Sequence, residues 1–140
     1  MSSLTVADGQ KIIDTVMVPW LDDLGMIVEE VSETGAVLRL PWDARIARDG
    51  GLITGQALMS FADAAMVVVI SAAIGGFQKM ATIDMTTSFL APAYNTDVIA
   101  RGTVIKRGKR MVFGRIDLET ADTGEPVALI QTTWTLLGAA

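Results

Sequence analysis

One segment constrains the fold more than any other. Thr54 to Gly76 reads TGQALMSFADAAMVVVISAAIGG, a long apolar run with one carboxylate, Asp63, near its middle. The pattern predicts a helix capped by Thr54 and stopped by Gly75 and Gly76. Ala57 to Ile74 approaches the length of a membrane span, but Asp63 would then lie deep in hydrocarbon, which is costly. A buried core helix is the expected alternative, since a helix apolar on all sides has to be covered by protein. Three readings of Asp63 are open at this point: a reactive group, a hydrogen-bonded structural carboxylate, or a residue on a solvated face.

Composition narrows the function classes. The 140 residues amount to one domain, 1–140, long enough for a sizeable core. Apolar residues make up 51% of the chain and the mean hydropathy is +0.44, which points to further burial in an oligomer interface. A net charge of -5 argues against a general nucleic-acid binder, which needs a basic footprint. The chain has no Cys, hence no disulfide framework and no thiolate chemistry. It also has no His, which removes the commonest general base, the usual zinc site and every Ser-His or Cys-His nucleophile. The opening MSSLTVADGQK lacks a basic stretch followed by an apolar one, so no secretory signal is expected and the expected location is the cytoplasm.

Ala7 to Trp20 reads as a short helix, with Ile12, Ile13, Val16 and Met17 at helical spacing and Pro19 near its end. Gly25 to Ser32 and Ala36 to Trp42 read as strands joined by the turn SETG. Asp43 to Ile53 is polar and contains glycine, so it is expected as a loop. After the central helix come four strand-like runs: Ala81 to Leu90, Asp97 to Lys106, Met111 to Glu119 and Pro126 to Leu137. In the first of these, strict alternation puts Thr82, Asp84, Thr86 and Ser88 on one face and Ile83, Met85 and Phe89 on the other. In Met111 to Glu119, Arg115, Asp117 and Glu119 oppose Val112, Ile116 and Leu118. Short turns between strands imply an antiparallel sheet, and the one long helix can cover a face of it, giving an α+β fold.

That order resembles the hotdog-fold acyl-CoA thioesterases of the phenylacetic-acid-degradation type, from VPWLDDLGMIVEEV onward. The family signature is His-Gly-Gly at the start of the central helix, followed by Leu-Ala-Asp. The matching segment is TGQALMSFAD, which places Gly55 on the first signature glycine, Gln56 on the second and Asp63 on the catalytic acid. TIDMTTSFLAPA is similar to the next family strand, with Thr82 at the position of an assisting Ser or Thr. IKRGKRMVFGRIDL is similar to the family's Gly-Lys/Arg hairpin. Two positions differ: Thr54 stands where the family keeps His, and Arg48–Asp49 lies near a family Asn. Both of those family residues help orient the thioester carbonyl or water.

The resemblance implies an antiparallel sheet wrapped around one long helix and hydrolysis of an acyl-CoA. It implies no metal and no redox cofactor, coenzyme A being part of the substrate. It also implies a homodimer or a tetramer of two dimers, with no nucleic-acid or membrane partner. The chemistry can be stated from the residues as well. A backbone N–H of Gly55 at a helix N-terminus can bind a developing oxyanion, and Asp63 can attack the carbonyl or deprotonate water. Gly55 and Asp63 are eight residues apart, roughly 12 Å along one helix. They cannot both reach one thioester carbon from the same subunit, so a working site requires two copies.

Each assignment keeps a plainer reading beside it. Asp63 is also readable as a structural carboxylate, Thr54 as an ordinary cap, and Thr82 as a solvated or packed strand residue with Asp84 beside it. Thr54 and Gln56 are candidates to shape the oxyanion side. Lys106 to Arg110 holds four of the 11 basic residues; Arg107, Lys109 and Arg110 are candidates to bind coenzyme A phosphates, or form a solvated hairpin tip. The eight Met residues read as core or acyl-pocket lining. Two other functions fit less of the sequence: a non-catalytic acyl-CoA sensor or carrier, and a hydratase, which the lack of His opposes.

Overall fold

The structure is a computed structural model that describes residues 4–138. The chain opens with α1, Val6–Val16. Thr5 Oγ1 accepts the Asp8 N–H and the Asp8 carboxylate accepts the Thr5 N–H, a reciprocal cap. The Thr5 backbone and hydroxyl contacts hold the Asp8 carboxyl below its usual range. The helix stops at Val16, short of the expected Trp20. Pro19 explains the difference: Val18 before it is extended, with ψ 148, as a residue preceding proline prefers. Pro19 then starts a separate 3-10 helix, Pro19–Leu24, which Gly25 closes at φ 62. This turn leaves Trp20 exposed rather than on a helix face.

Two strands follow, β1 (Ile27–Val31) and β2 (Gly35–Leu40), joined through the SETG turn. A 3-10 turn, Ala44–Ile46, interrupts the segment expected as loop. The long helix α2 spans Gly55–Ile74. Thr54 Oγ1 caps it by accepting the Ala57 N–H, and Gly75 ends it in the left-handed region at φ 85. Four strands complete the chain: β3 (Met80–Phe89), β4 (Val98–Arg107), β5 (Met111–Thr120) and β6 (Pro126–Leu136). Their limits differ from the alternation-based expectation by at most one residue.

All six strands form one antiparallel sheet in the order β1-β2-β4-β5-β6-β3. β1 and β3 are its edges. The sheet curves round α2, which packs on β2, β4 and β5. Long enough and apolar enough to cross a membrane, α2 instead lies in the core, with 72% of its most apolar window buried. Phe61, Met66 and Ile70 on the helix meet Leu38, Leu40, Ile116 and Ile130 from the sheet, all at 0% exposure. Trp134 is buried as well, and its Nε1 has no partner among the described residues.

Helix and sheet approach closely over two glycines. A methyl built at Gly102 would lie 2.5 Å from Val69 Cγ2, and one at Gly114 would lie 2.6 Å from Met66 Cε. Val69 is β-branched and has little freedom to withdraw, whereas Met66 Cε ends a flexible chain. Gly102→Ala is therefore expected to cost about 1–3 kcal/mol by overpacking. Gly114→Ala is expected to cost less. Urea unfolding at unchanged slope measures both, and equal midpoints for the two variants would refute this account of the contact.

Candidate functional site

The segment leading into α2 is pinned on several sides. Arg39 donates to Glu29 at 2.7 Å and to Asp97 at 2.9 Å, and the two carboxylates hold its guanidinium above the usual arginine range. Asp97 also accepts the Trp42 N–H at 2.7 Å. Trp42 Nε1 donates to the Gly51 carbonyl at 3.0 Å, and Asn95 Nδ2 donates to the Gly50 carbonyl at 3.3 Å. Gly50 and Gly51 turn the chain at φ 89 and 87, against Asn95 at φ 49. Asn95 was not singled out in the sequence; its one signal is the AYNTD turn, where Asn tolerates the left-handed region. Arg48 and Asp49, near the family Asn position, are exposed on the outside of this turn.

The turn delivers the chain to the start of α2. Thr54 Oγ1 is engaged by the Ala57 N–H at 3.2 Å. The N–H groups of Gly55 and Gln56 have no partner among the described residues. They lie at the positive end of the helix dipole, where free donors attract negative charge. A cleft of about 390 Å³ opens beside them, lined by Leu52, Gly55, Leu58, Phe89, Leu90 and Pro92 among others. Phe89 flanks Gly55: a methyl built there would meet its Cζ at 3.5 Å.

Asp63 belongs to a different cleft. It is half-buried two turns further along α2, and Thr82 Oγ1 donates to its Oδ1 at 2.7 Å. A cavity of about 260 Å³ adjoins it, lined by Trp20, Leu21, Met59, Ser60 and Met85. The 3-10 helix after Pro19 supplies Trp20 and Leu21. Met59, Ser60 and Asp63 lie on one side of α2, and Thr87 Oγ1 donates to Met59 Sδ at 3.0 Å. Sequence reasoning did not single out Trp20 or Ser60, and it placed Met59 and Met85 only among the eight Met residues read as core or acyl-pocket lining. Nothing local distinguishes them from other Met, Ser and aromatic residues.

Thr82 reaches Asp63 only because β3 departs from strict alternation. Thr82 is opposite Trp134, but Asp84 is opposite Thr133, so Ile83 is an extra residue in β3. This bulge overturns the expected common face of Thr82 and Asp84. Thr82 and Thr87 point to the helix, where they bond Asp63 and Met59. Asp84 and Thr86 bond each other at 3.0 Å on the other face and line an outer groove with Phe113 and Ile105. An unbulged strand would send Thr82 away from α2.

The basic hairpin is not in either cleft. Arg107 is opposite Val112, Val112 opposite Trp134, and Trp134 opposite Thr82. Three strand spacings, roughly 14 Å, therefore separate Arg107 from Thr82 along one row of the sheet. Arg107, Lys109 and Arg110 are exposed and make no ion pair among the described residues. No cluster of three metal-ligating side chains occurs among the described residues.

Residues 50–127, more than half of the chain, match the model of a family described as the thioesterase superfamily. Among solved structures, a thioesterase of Haemophilus influenzae is similar with a TM-score of 0.84 at 17% identity, covering 99% of this chain and 96% of its own. Zebrafish thioesterase superfamily member 2 reaches 0.84 at 20% identity, covering 96% and 99%. The E. coli PaaI protein from the phenylacetic acid degradation operon reaches 0.81 at 18% identity, covering 97% and 98%. At these identities the likeness carries the fold alone. A search of curated proteins gives no match.

The cap makes a specific expectation about Thr54. Thr54→Ala should cost about 1 kcal/mol, because the Ala57 N–H loses its acceptor. Thr54→Ser should keep most of the stability. Denaturant midpoints for the two variants check this, and an unchanged midpoint for Thr54→Ala would show that the cap carries no stability.

Proposed function

The chain belongs to the thioesterase superfamily, and we propose that it hydrolyses an acyl- or aryl-acyl-coenzyme A to the free acid and coenzyme A. Its antiparallel sheet around one long helix is the hotdog fold. The observation that carries the reading is the bond from Thr82 Oγ1 to Asp63 Oδ1, which presents an oriented carboxylate to a mostly apolar cleft. In the proposed reaction Asp63 either takes a proton from a water that adds to the thioester carbon, or attacks that carbon itself to give a mixed anhydride that water then hydrolyses. Charge develops on the carbonyl oxygen, and the Gly55 N–H stabilises it, with Gln56 and Thr54 shaping that side. The C–S bond then breaks, the thiolate takes up the proton, and the acid leaves.

Gly55 and Asp63 are on one unbroken helix and line separate clefts, so the proposal requires a homodimer. The edge strand β3 suggests how it forms. Its outer side is unpaired by any strand among the described residues, and Ile83, Phe89 and Leu90 are more than half exposed. Phe89 flanks Gly55 and Thr82 bonds Asp63. Two β3 strands paired antiparallel about a two-fold axis near Met85 and Thr86 would set Phe89 of one copy beside Thr82 of the other. The N-terminus of one α2 would then adjoin the Asp63 of the other, giving two identical sites per dimer. By family resemblance two such dimers form a tetramer.

Coenzyme A separates its thioester from its phosphates by a long flexible arm. The proposed contacts are the apolar cleft at Gly55 for the arm, and Arg107, Lys109 and Arg110 for the phosphates. A second reading, a non-catalytic acyl-CoA binder, is favoured by one observation. Thr54 spends its side chain on the cap at the position where the family keeps a reactive-site His.

A complementation assay tests the enzyme and the shared site together. Asp63→Ala should lower thiol release at least roughly 100-fold. Gly55→Pro removes the N–H at a helix position that tolerates proline, and should cost roughly 100- to 1,000-fold. Mixing the two inactive variants should restore about a quarter of the parent activity, because half the dimers become mixed and each has one intact site. No recovery after subunit exchange would rule out a site shared between subunits. A parent that binds acyl-CoA but never releases thiol would leave the binder reading.

The hairpin is tested separately by changing Arg107, Lys109 and Arg110 together to Ala. KM for an acyl-CoA should rise about tenfold, with KM for the corresponding N-acetylcysteamine thioester unchanged. An equal effect on both substrates would remove the hairpin from phosphate binding.

A further inference from the structure

Ser60 lies one turn before Asp63 on α2 and lines the same cleft. Its hydroxyl makes no hydrogen bond among the described residues. The other serine of the helix, Ser71, bonds back to the Val67 carbonyl at 2.7 Å, the usual way a helical serine is satisfied. Apart from Asp63, the remaining wall is apolar: Trp20, Leu21, Met59 and Met85. Met59 is held by Thr87, so its thioether is not available to Ser60 as a freely moving partner.

A ligand entering this cleft expels the water that Ser60 would otherwise bond. A purely hydrocarbon acyl group then leaves the hydroxyl without a partner, which disfavours it. An acyl group carrying its own oxygen restores the bond. Residues three apart on a helix have Cβ atoms roughly 5–6 Å apart, and the reacting carbon must come within about 3–3.5 Å of the attacking group. The oxygen met by Ser60 is thus a short distance beyond the thioester carbon, about three bonds along the acyl group.

We infer that Ser60 selects acyl groups bearing a hydroxyl or keto oxygen three bonds from the thioester carbon, the 3-hydroxyacyl and 3-oxoacyl class. This rests on the proposed hydrolysis at Asp63, with the coenzyme A arm in the Gly55 cleft and the acyl group therefore in the cleft beside Asp63. It adds to that reading a polar specificity contact that the catalytic groups do not supply. A site built to hydrogen-bond a substrate oxygen discriminates against the analogue that lacks it far better than an apolar pocket discriminates by size.

The probes are non-hydrolysable thioether analogues of butyryl-CoA and 3-hydroxybutyryl-CoA, titrated by calorimetry into the parent, Ser60→Ala and Ser60→Thr. The parent should bind the hydroxylated analogue about tenfold more tightly. Ser60→Ala should abolish that preference with the butyryl affinity unchanged or improved. Ser60→Thr, which keeps the hydroxyl, should retain most of it. Equal binding of the two analogues by the parent, or a preference that survives in Ser60→Ala, overturns the assignment. So does a Ser60→Ala variant that slows both thioesters equally and keeps the parent's preference, since that marks a water-holding role. Thiol release from the two authentic thioesters is followed in parallel. Preference without release supports the Ser60 contact and ends the hydrolase reading, whereas release without preference ends the Ser60 contact alone. Failure of both analogues to bind the parent, with no thiol released from either authentic thioester, ends both.

Discussion

The structure depends on covering a helix that is apolar on nearly every side. α2 has buried residues all the way from Ala57 to Ala72, so one flat contact would leave much of it wet. A curved antiparallel sheet solves this by meeting the helix along several strands at once. The close crossing needs glycine where the backbone of the sheet approaches the helix, at Gly102 beneath Val69 and at Gly114 beneath Met66. A buried α2 also fixes its two polar features, a free N-terminus and Asp63, in a rigid frame. Neither can adjust its position to meet the other.

That rigidity shapes the chemistry. One end of α2 offers N–H groups that have no partner among the described residues, beside an apolar cleft, and Asp63 stands about two turns away in another. In the proposed reaction a single chain therefore holds two half-sites. The edge strand connects them, since β3 touches Gly55 through Phe89 and Asp63 through Thr82. The bulge at Ile83 belongs to the same economy: one additional residue sends Thr82 inward and leaves Asp84 and Thr86 outward. Bulges commonly re-aim a side chain in this way at functional sites.

Much of the fold could be read along the chain. The span of α2, its Thr54 cap and its Gly75 stop are local signals within a few residues of each other. The antiparallel sheet followed from short turns between strand-like runs, and the position of Asp63 relative to Gly55 from helical rise alone. The stretch around Pro19 was harder. A helical pattern runs through Met17, but proline restrains Val18, and the chain continues as a 3-10 helix that places Trp20 beside Asp63.

What the sequence determined by itself was a core helix with an anion-attracting start and a carboxylate too distant to serve it. Those properties depend on periodicity, capping and rise per residue, which neighbouring residues set. Tertiary structure decided which side of β3 Thr82 occupies, which residues line the Asp63 cleft, and that Ser60 has no hydrogen-bond partner among the described residues. A bulge exists only relative to the register of the strand beside it, here β6. A cleft exists only where separate elements converge, here the 3-10 helix, α2 and β3. Neither relation is written in any one stretch of sequence, because each is set by packing between parts distant along the chain.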